Sequence, residues 1–182
     1  MRETLVKGQI KINAIWIAEG KKSARGKEIL QMAEDRGIPV KLKRGALLGR
    51  YLPGIAHQGI VALAEEFTYM DFNTLIAMSL DAQEQSLLLV ADHITDEGNL
   101  GALIRTAAFF RSHGLILPKD RSAKVTEKVR KRSAGSYVHL PVARVVNLGR
   151  ALDVLDNKGF LIIGAAGEAT ESIYRFDWNR PL

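Results

Sequence analysis

The fold is read from residues 90–110, VADHITDEGNLGALIRTAAFF. The stretch opens as the end of an apolar strand and closes as a helix. Between them lies an exposed acidic loop carrying Asp92, Asp96, Glu97 and Asn99. Asn99 follows a glycine and precedes the helical run, so its plainest role is an N-cap accepting a backbone N–H. Arg105 stands about two turns into the helix, among Leu103, Ile104, Ala107 and Ala108, and is expected to be sunk into apolar surface. Arginine is rarely buried without a partner. Either it pairs with Asp92 or Glu97, or its guanidinium reaches the crevice at the strand end, where its fork suits phosphate oxygens.

Outward from this stretch the second half alternates strand and helix. SLLLVAD (residues 86–92) is a continuous apolar run of the kind covered on both faces in a parallel sheet. NLGALIRTAAFFRS reads as a helix, GLILP as a strand, AKVTEKVRKRSAG as a helix ended by Gly135, and HLPVARV as extended. NLGRALDVLDNKG reads as a helix capped by Asn147, and FLIIGAAG as a final buried strand. Such alternation predicts an α/β fold with an open parallel sheet, whose ligands bind beyond the carboxyl ends of the strands. The loops 92–99 and 164–172 fall there.

The first seventy residues form a smaller α/β unit. NAIWIAEG, IPVKLK and GIVALAEE are strand candidates. GKEILQMAEDRG is a helix with Ile29, Leu30, Met32 and Ala33 on one side, stopped by Gly37 and Pro39; GALLGRYLPG is a short helix stopped by Pro53. Residues 71–85 are polar towards their end and read as a linker, with Asp71 or Asn73 able to cap a short helix.

Composition excludes several classes. No run of eighteen apolar residues exists, so nothing reads as a membrane-spanning helix. Without cysteine there is neither a disulfide framework nor a thiolate zinc site, and the four histidines show no metal-ligand spacing. A cytoplasmic location is the simplest expectation. No P-loop and no G-x-G-x-x-G is present, which leaves a nucleotide-dependent dehydrogenase without its fingerprint. The net charge of +6 is clustered: residues 119–132, KDRSAKVTEKVRKR, hold seven basic residues against two acidic ones. That segment is either a solvated face or a site for a polyanion.

Residues 92–110, DHITDEGNLGALIRTAAFF, resemble the first signature motif of the SpoU (TrmH) family of RNA 2'-O-ribose methyltransferases, and the match continues from GLILPKD through GRALDVL. HQGIVA, residues 57–62, resembles the end of that family's small substrate-binding domain. The resemblance implies an L30e-like RNA substrate-binding domain over 1–70, a linker over 71–85, and a SPOUT-type, trefoil-knot methyltransferase domain over 86–182. It implies S-adenosylmethionine as cofactor, no metal, ribosomal RNA as substrate, a homodimer, and methylation of a guanosine of the large-subunit RNA. By the same resemblance Asn99 and Arg105 are catalytic, and Gly164, Ala165, Ala166 and Gly167 touch the cofactor. Lys119, Arg121, Lys124, Lys128, Arg130, Lys131 and Arg132 would supply affinity for the RNA backbone.

The sequence also departs from the family's pattern. Its later segments, of the types G-x-E-G-x-G, I-P and S-L-N-V-S, are absent; Arg111 stands where glycine is common, and Val138 where an acidic residue is common. MRETL begins a few residues late. The expectation is therefore an incomplete catalytic domain, shortened at its C-terminal end, inactive alone and weak or deficient in cofactor binding. The alternative is a non-catalytic RNA-binding module.

Overall fold

The structure is a computed structural model and describes residues 1–8, 10–20, 24–51, 53–54, 57–82, 85–170 and 172. The chain forms two compact units, Met1–Phe67 and Thr68–Leu182.

In the first unit β1 (Ile12–Ala18) lies at the centre of three strands. It runs parallel to β2 (Val40–Lys43) and antiparallel to β3 (Ile60–Ala64). An irregularity between Ile12 and Ala14 breaks the alternation of side chains, so Ile12 joins Ile15 and Ile17 in one core. Leu5 from α1 (Arg2–Lys7) and Ile29 and Ala33 from α2 (Ala24–Glu34) complete it. The apolar face of α2 is narrower than its composition suggests, because Leu30 remains 39% exposed. Gly37 ends that helix at φ 62, a left-handed position that glycine takes without penalty. Its N–H donates to Glu34 O at 2.9 Å, and Ile38 N donates to Ala33 O at 2.8 Å. The helix α3 (Gly45–Tyr51) contacts β1 and buries Leu48 completely.

The second unit is a three-stranded parallel sheet in the order β4 (Leu88–Val90), β5 (Gly114–Pro118), β6 (Val142–Val145). Every residue of β5 is buried, as its unbroken apolar run predicts for the central strand of a parallel sheet. Ile116 packs with Leu75 and Ile76 of α4 (Phe72–Leu80) and with Ala151 and Leu155 of α7 (Leu148–Asn157). Leu115 and Leu117 point the other way and are also fully buried, on the side where α5 (Glu97–Phe109) contacts β5. Helices thus cover both faces. The short α6 (Glu127–Arg132) and a 3-10 turn, Ser136–Val138, precede β6. Asn147 caps α7 as expected, its Oδ1 accepting from Arg150 N at 2.9 Å.

Two expectations require correction. Residues 71–85 do not serve merely as a linker. Asp71 Oδ1 caps α4 by accepting from Thr74 N at 3.0 Å, and Leu75 is fully buried in the second unit's core. The fit is close, since a Cβ added at Gly114 would meet Leu75 Cδ1 at 2.5 Å. The run 160–167, FLIIGAAG, forms no strand. Only Phe160 is buried; Ile162 and Ile163 are 40% and 39% exposed, and Gly164, Ala165, Ala166 and Gly167 lie on the surface. An apolar run becomes a strand by pairing, and among the described residues none of the sheet's strands pairs with this one.

Candidate functional site

Because β4, β5 and β6 are parallel, the loops after them emerge at one edge of the sheet. The backbone ties those loops together: Lys119 N donates to Val145 O at 2.7 Å, and Ala123 N donates to Ile94 O at 2.8 Å. Arg144 donates from its guanidinium to the Lys119 carbonyl and stands 5.3 Å over the Tyr69 ring. The Tyr69 hydroxyl accepts from Val125 N at 2.9 Å. This framework fixes the loop from which the basic segment rises.

The helix α5 begins at that edge, one loop after β4. Its cap is Asp96, whose Oδ1 accepts from Asn99 N at 2.7 Å. Asn99 is therefore not the cap: it sits within the first turn, exposed, and its side-chain amide bonds to no described residue. Arg105 likewise corrects the expectation of burial. Leu100, Gly101, Ile104 and Ala107 form the buried stripe of α5, and Arg105 falls outside it. Its guanidinium is exposed and bonds to no described residue, neither Asp92 nor Glu97 included. Asn99 and Arg105 are six residues apart, roughly 9 Å along the axis and about 120° around it. They border one exposed surface of α5 with Ala102, Thr106 and Phe109.

The basic segment packs against this same helix. Glu97 Oε1 accepts from Thr126 Oγ1 at 2.5 Å, and Glu97 Oε2 lies 3.5 Å from Lys128 Nζ. Thr126 in turn caps α6, accepting from Val129 N at 3.4 Å. Four residues beyond Glu97, Gly101 leaves a notch that the Arg132 stem fills; a Cβ there would lie 2.6 Å from Arg132 Cβ. Lys119, Arg121, Lys124, Lys128, Lys131 and Arg132 are exposed, and Arg130 is half-buried. Gly101, one turn before Arg105, thus meets the helix that carries the cations Lys128, Lys131 and Arg132. Such a surface is suited to holding a polyphosphate backbone.

Two features escaped the sequence. Phe109 and Phe110 end α5 with 80% and 70% of their surfaces exposed, their rings 5.3 Å apart and perpendicular. Apolar residues at a helix end read as core, so nothing local announces this. Arg111 follows at φ 56, donating from its N–H to Ala108 O at 3.2 Å as the left-handed end of the helix.

The residues implied for the cofactor behave differently. Gly164, Ala165, Ala166 and Gly167 are exposed, and nothing comes within 4 Å of a Cβ built on either glycine. The described residues therefore do not fit a cradle for a nucleoside cofactor at this loop.

Known proteins resemble the chain throughout its length. Residues 86–182 match the SpoU rRNA Methylase family, and residues 3–70 match the RNA 2'-O ribose methyltransferase substrate binding family. The chain belongs to the SpoU methylase family, as its motif at 92–110 implies. YacO of Bacillus subtilis, a TrmH family protein, is 33% identical over 180 residues, which are 99% of this chain and 72% of YacO. The 23S rRNA (guanosine-2'-O-)-methyltransferase RlmB of Pseudomonas putida is 34% identical over 172 residues, covering 94% of this chain and 69% of RlmB. The crystal structure of the SpoU methyltransferase AviRb from Streptomyces viridochromogenes shares the fold with a TM-score of 0.76 at 23% identity. It covers 99% of this chain, which spans 66% of AviRb. An rRNA methyltransferase from Sinorhizobium meliloti gives 0.73 at 18% identity, with 97% and 64% of the two chains covered. The α/β fold with a parallel sheet is thereby borne out.

Proposed function

We propose that the chain serves S-adenosylmethionine-dependent methyl transfer to a ribose 2'-hydroxyl of ribosomal RNA, a guanosine of the large subunit being the preferred target. The observation that carries this reading is Arg105: an exposed guanidinium bonded to no described residue, within the family's motif and on the helix that packs against the cationic α6. A guanidinium keeps its proton at neutral pH and does not serve as a base there. Its role is to hold the phosphate adjoining the target ribose and to stabilise the 2'-alkoxide as the proton leaves. Loss of one such donor costs about 3 kcal/mol of barrier, on the order of a hundredfold in rate. Asn99, at the entrance of the same helix, offers an amide to the same nucleotide. The cations from Lys119 to Arg132 supply affinity that does not depend on base sequence.

The similarity to RlmB supports the ribosomal substrate, and the match at residues 3–70 supports an L30e-like RNA-binding role for the first unit. A cytoplasmic location follows from such a substrate, and no described helix is long and apolar enough to cross a membrane. A homodimer belongs to this reading, and the exposed Phe109 and Phe110 rings offer apolar surface for it. S-adenosylmethionine would supply the methyl group. The exposure of residues 164–167 supports weak cofactor binding, with correspondingly slow transfer.

The same exposure favours a second reading, an RNA-binding module without catalysis. Incubation of the chain with ribosomal RNA and methyl-labelled S-adenosylmethionine at millimolar concentration separates the two. Label recovered on a ribose 2'-oxygen supports the enzyme. RNA binding with no label supports the module, and label on a base contradicts both. Calorimetric titration showing micromolar cofactor affinity would overturn the weak-binding proposal.

A further inference from the structure

We propose that the first unit carries a stacking platform for an unpaired RNA base, made by Tyr51 and Trp16 and bordered by Lys41 and Lys43. It deepens, and rests on, the reading of the chain as a protein that acts on RNA.

The platform arises from register. Trp16 pairs with Lys41 and Ala18 with Lys43 across the parallel strands β1 and β2, so all four side chains share one face of the sheet. That face is opposite the one where Ile15 and Ile17 enter the core with α1 and α2. The helix α3 approaches this second face and brings Tyr51 against Trp16, with ring centroids 4.7 Å apart and planes at 78°. Lys43 Nζ stands 5.3 Å over the Trp16 ring. The edge contact orients Tyr51 without covering it, since 57% of its surface remains exposed. No described residue hydrogen-bonds to the Tyr51 hydroxyl or the Trp16 indole N–H.

Charge names the occupant. Lys41 and Lys43 flank Trp16 across the strands, Arg44 and Arg50 lie within seven residues of Tyr51 in sequence, and none of the four forms a salt bridge among the described residues. The acidic residue at this edge is Glu19, whose backbone N–H donates to Lys43 O at 2.9 Å. An exposed aromatic ring among cations without acidic partners suits a base stacked on the ring with its phosphate held alongside. In an A-form duplex the base faces are already stacked, so the ligand is a nucleotide in a loop, bulge or single strand.

Fluorescence anisotropy on the whole chain tests this with two probes, a labelled oligouridine and a blunt RNA duplex of equal length. Tyr51→Ala should weaken binding of the oligouridine about tenfold and leave the duplex within about twofold. Tyr51→Phe, which keeps the ring, should match the wild type on both. A 5-iodouridine probe should photo-crosslink to Tyr51 or Trp16. If wild type binds both probes and Tyr51→Ala changes neither, or weakens both equally, the platform is refuted while RNA binding stands. If wild type binds neither, the platform and the RNA reading fail together. Crosslinks confined to the second unit would also refute the platform.

Discussion

Gly101 is where α5 and the basic helix α6 meet, and the substitution Gly101→Ala tests that junction. In an open helix the change would stabilise by about 1 kcal/mol, because glycine carries the larger conformational entropy into the unfolded chain. Here the new Cβ would lie 2.6 Å from Arg132 Cβ, 2.9 Å from Arg132 Cγ and 3.1 Å from the Val129 carbonyl oxygen. Arg132 Cβ is fixed to its backbone and cannot swing aside, so α6 must move. Overpacking of this kind costs about 1–3 kcal/mol, which exceeds the helix gain and leaves the second unit roughly 1 kcal/mol less stable. Gly149 in α7 supplies the contrast, since the nearest atom to its added Cβ is Asn147 Oδ1 at 3.5 Å, an ordinary contact. Gly149→Ala should therefore be neutral or stabilising by up to about 1 kcal/mol. Urea unfolding followed by a probe on each unit reads both variants, because two compact units need not unfold together. Displacement of α6 should also weaken RNA binding by Gly101→Ala and leave Gly149→Ala unaffected. If Gly101→Ala stabilises as much as Gly149→Ala, the close approach of α5 and α6 is not real.

Arg111→Gly should stabilise the second unit by about 0.5–1 kcal/mol in urea unfolding: it relieves a left-handed backbone at φ 56 but adds unfolded-state entropy; destabilisation would contradict it. Asp71 is held below the usual carboxylate range by hydrogen bonds from the Thr74 N–H and hydroxyl. A depressed folded pKa contributes stability above the unfolded value, lost as pH falls through the folded one. The advantage of wild type over Asp71→Asn in urea should therefore shrink below about pH 4, and an advantage that grew there would oppose the cap. Replacing Lys128 and Lys131 with glutamine should weaken RNA binding regardless of base sequence. It should also flatten the salt dependence by roughly 0.7 in log–log slope for each phosphate no longer neutralised. An unchanged slope would leave α6 as solvated surface only.

Much of this architecture is written locally. The all-apolar GLILP could only be a strand covered on both faces, and Asn147 ahead of an amphipathic run specified both the start and the sense of α7. The periodicity of α5 also held information: the stripe Leu100–Gly101–Ile104–Ala107 places Arg105 outside the buried face. Its apolar neighbours in sequence suggest burial instead, because composition ignores the direction in which each side chain points. The start of the same helix was not legible, since Asp92, Thr95, Asp96 and Asn99 are all capping residue types and only geometry selects Asp96. FLIIGAAG misled because strand formation depends on a partner that no local pattern encodes. Nor could the sequence show the notch between Gly101 and Arg132, or the meeting of Trp16 and Tyr51, which depend on tertiary approach.

The role of Arg105 is tested most directly by measuring two quantities for wild type and Arg105→Ala at millimolar S-adenosylmethionine: the rate of 2'-O-methyl transfer and the affinity for ribosomal RNA. The account predicts a rate lower by about a hundredfold with affinity within a few-fold of wild type. An unchanged rate, or an affinity that collapses as far as the rate, would contradict it.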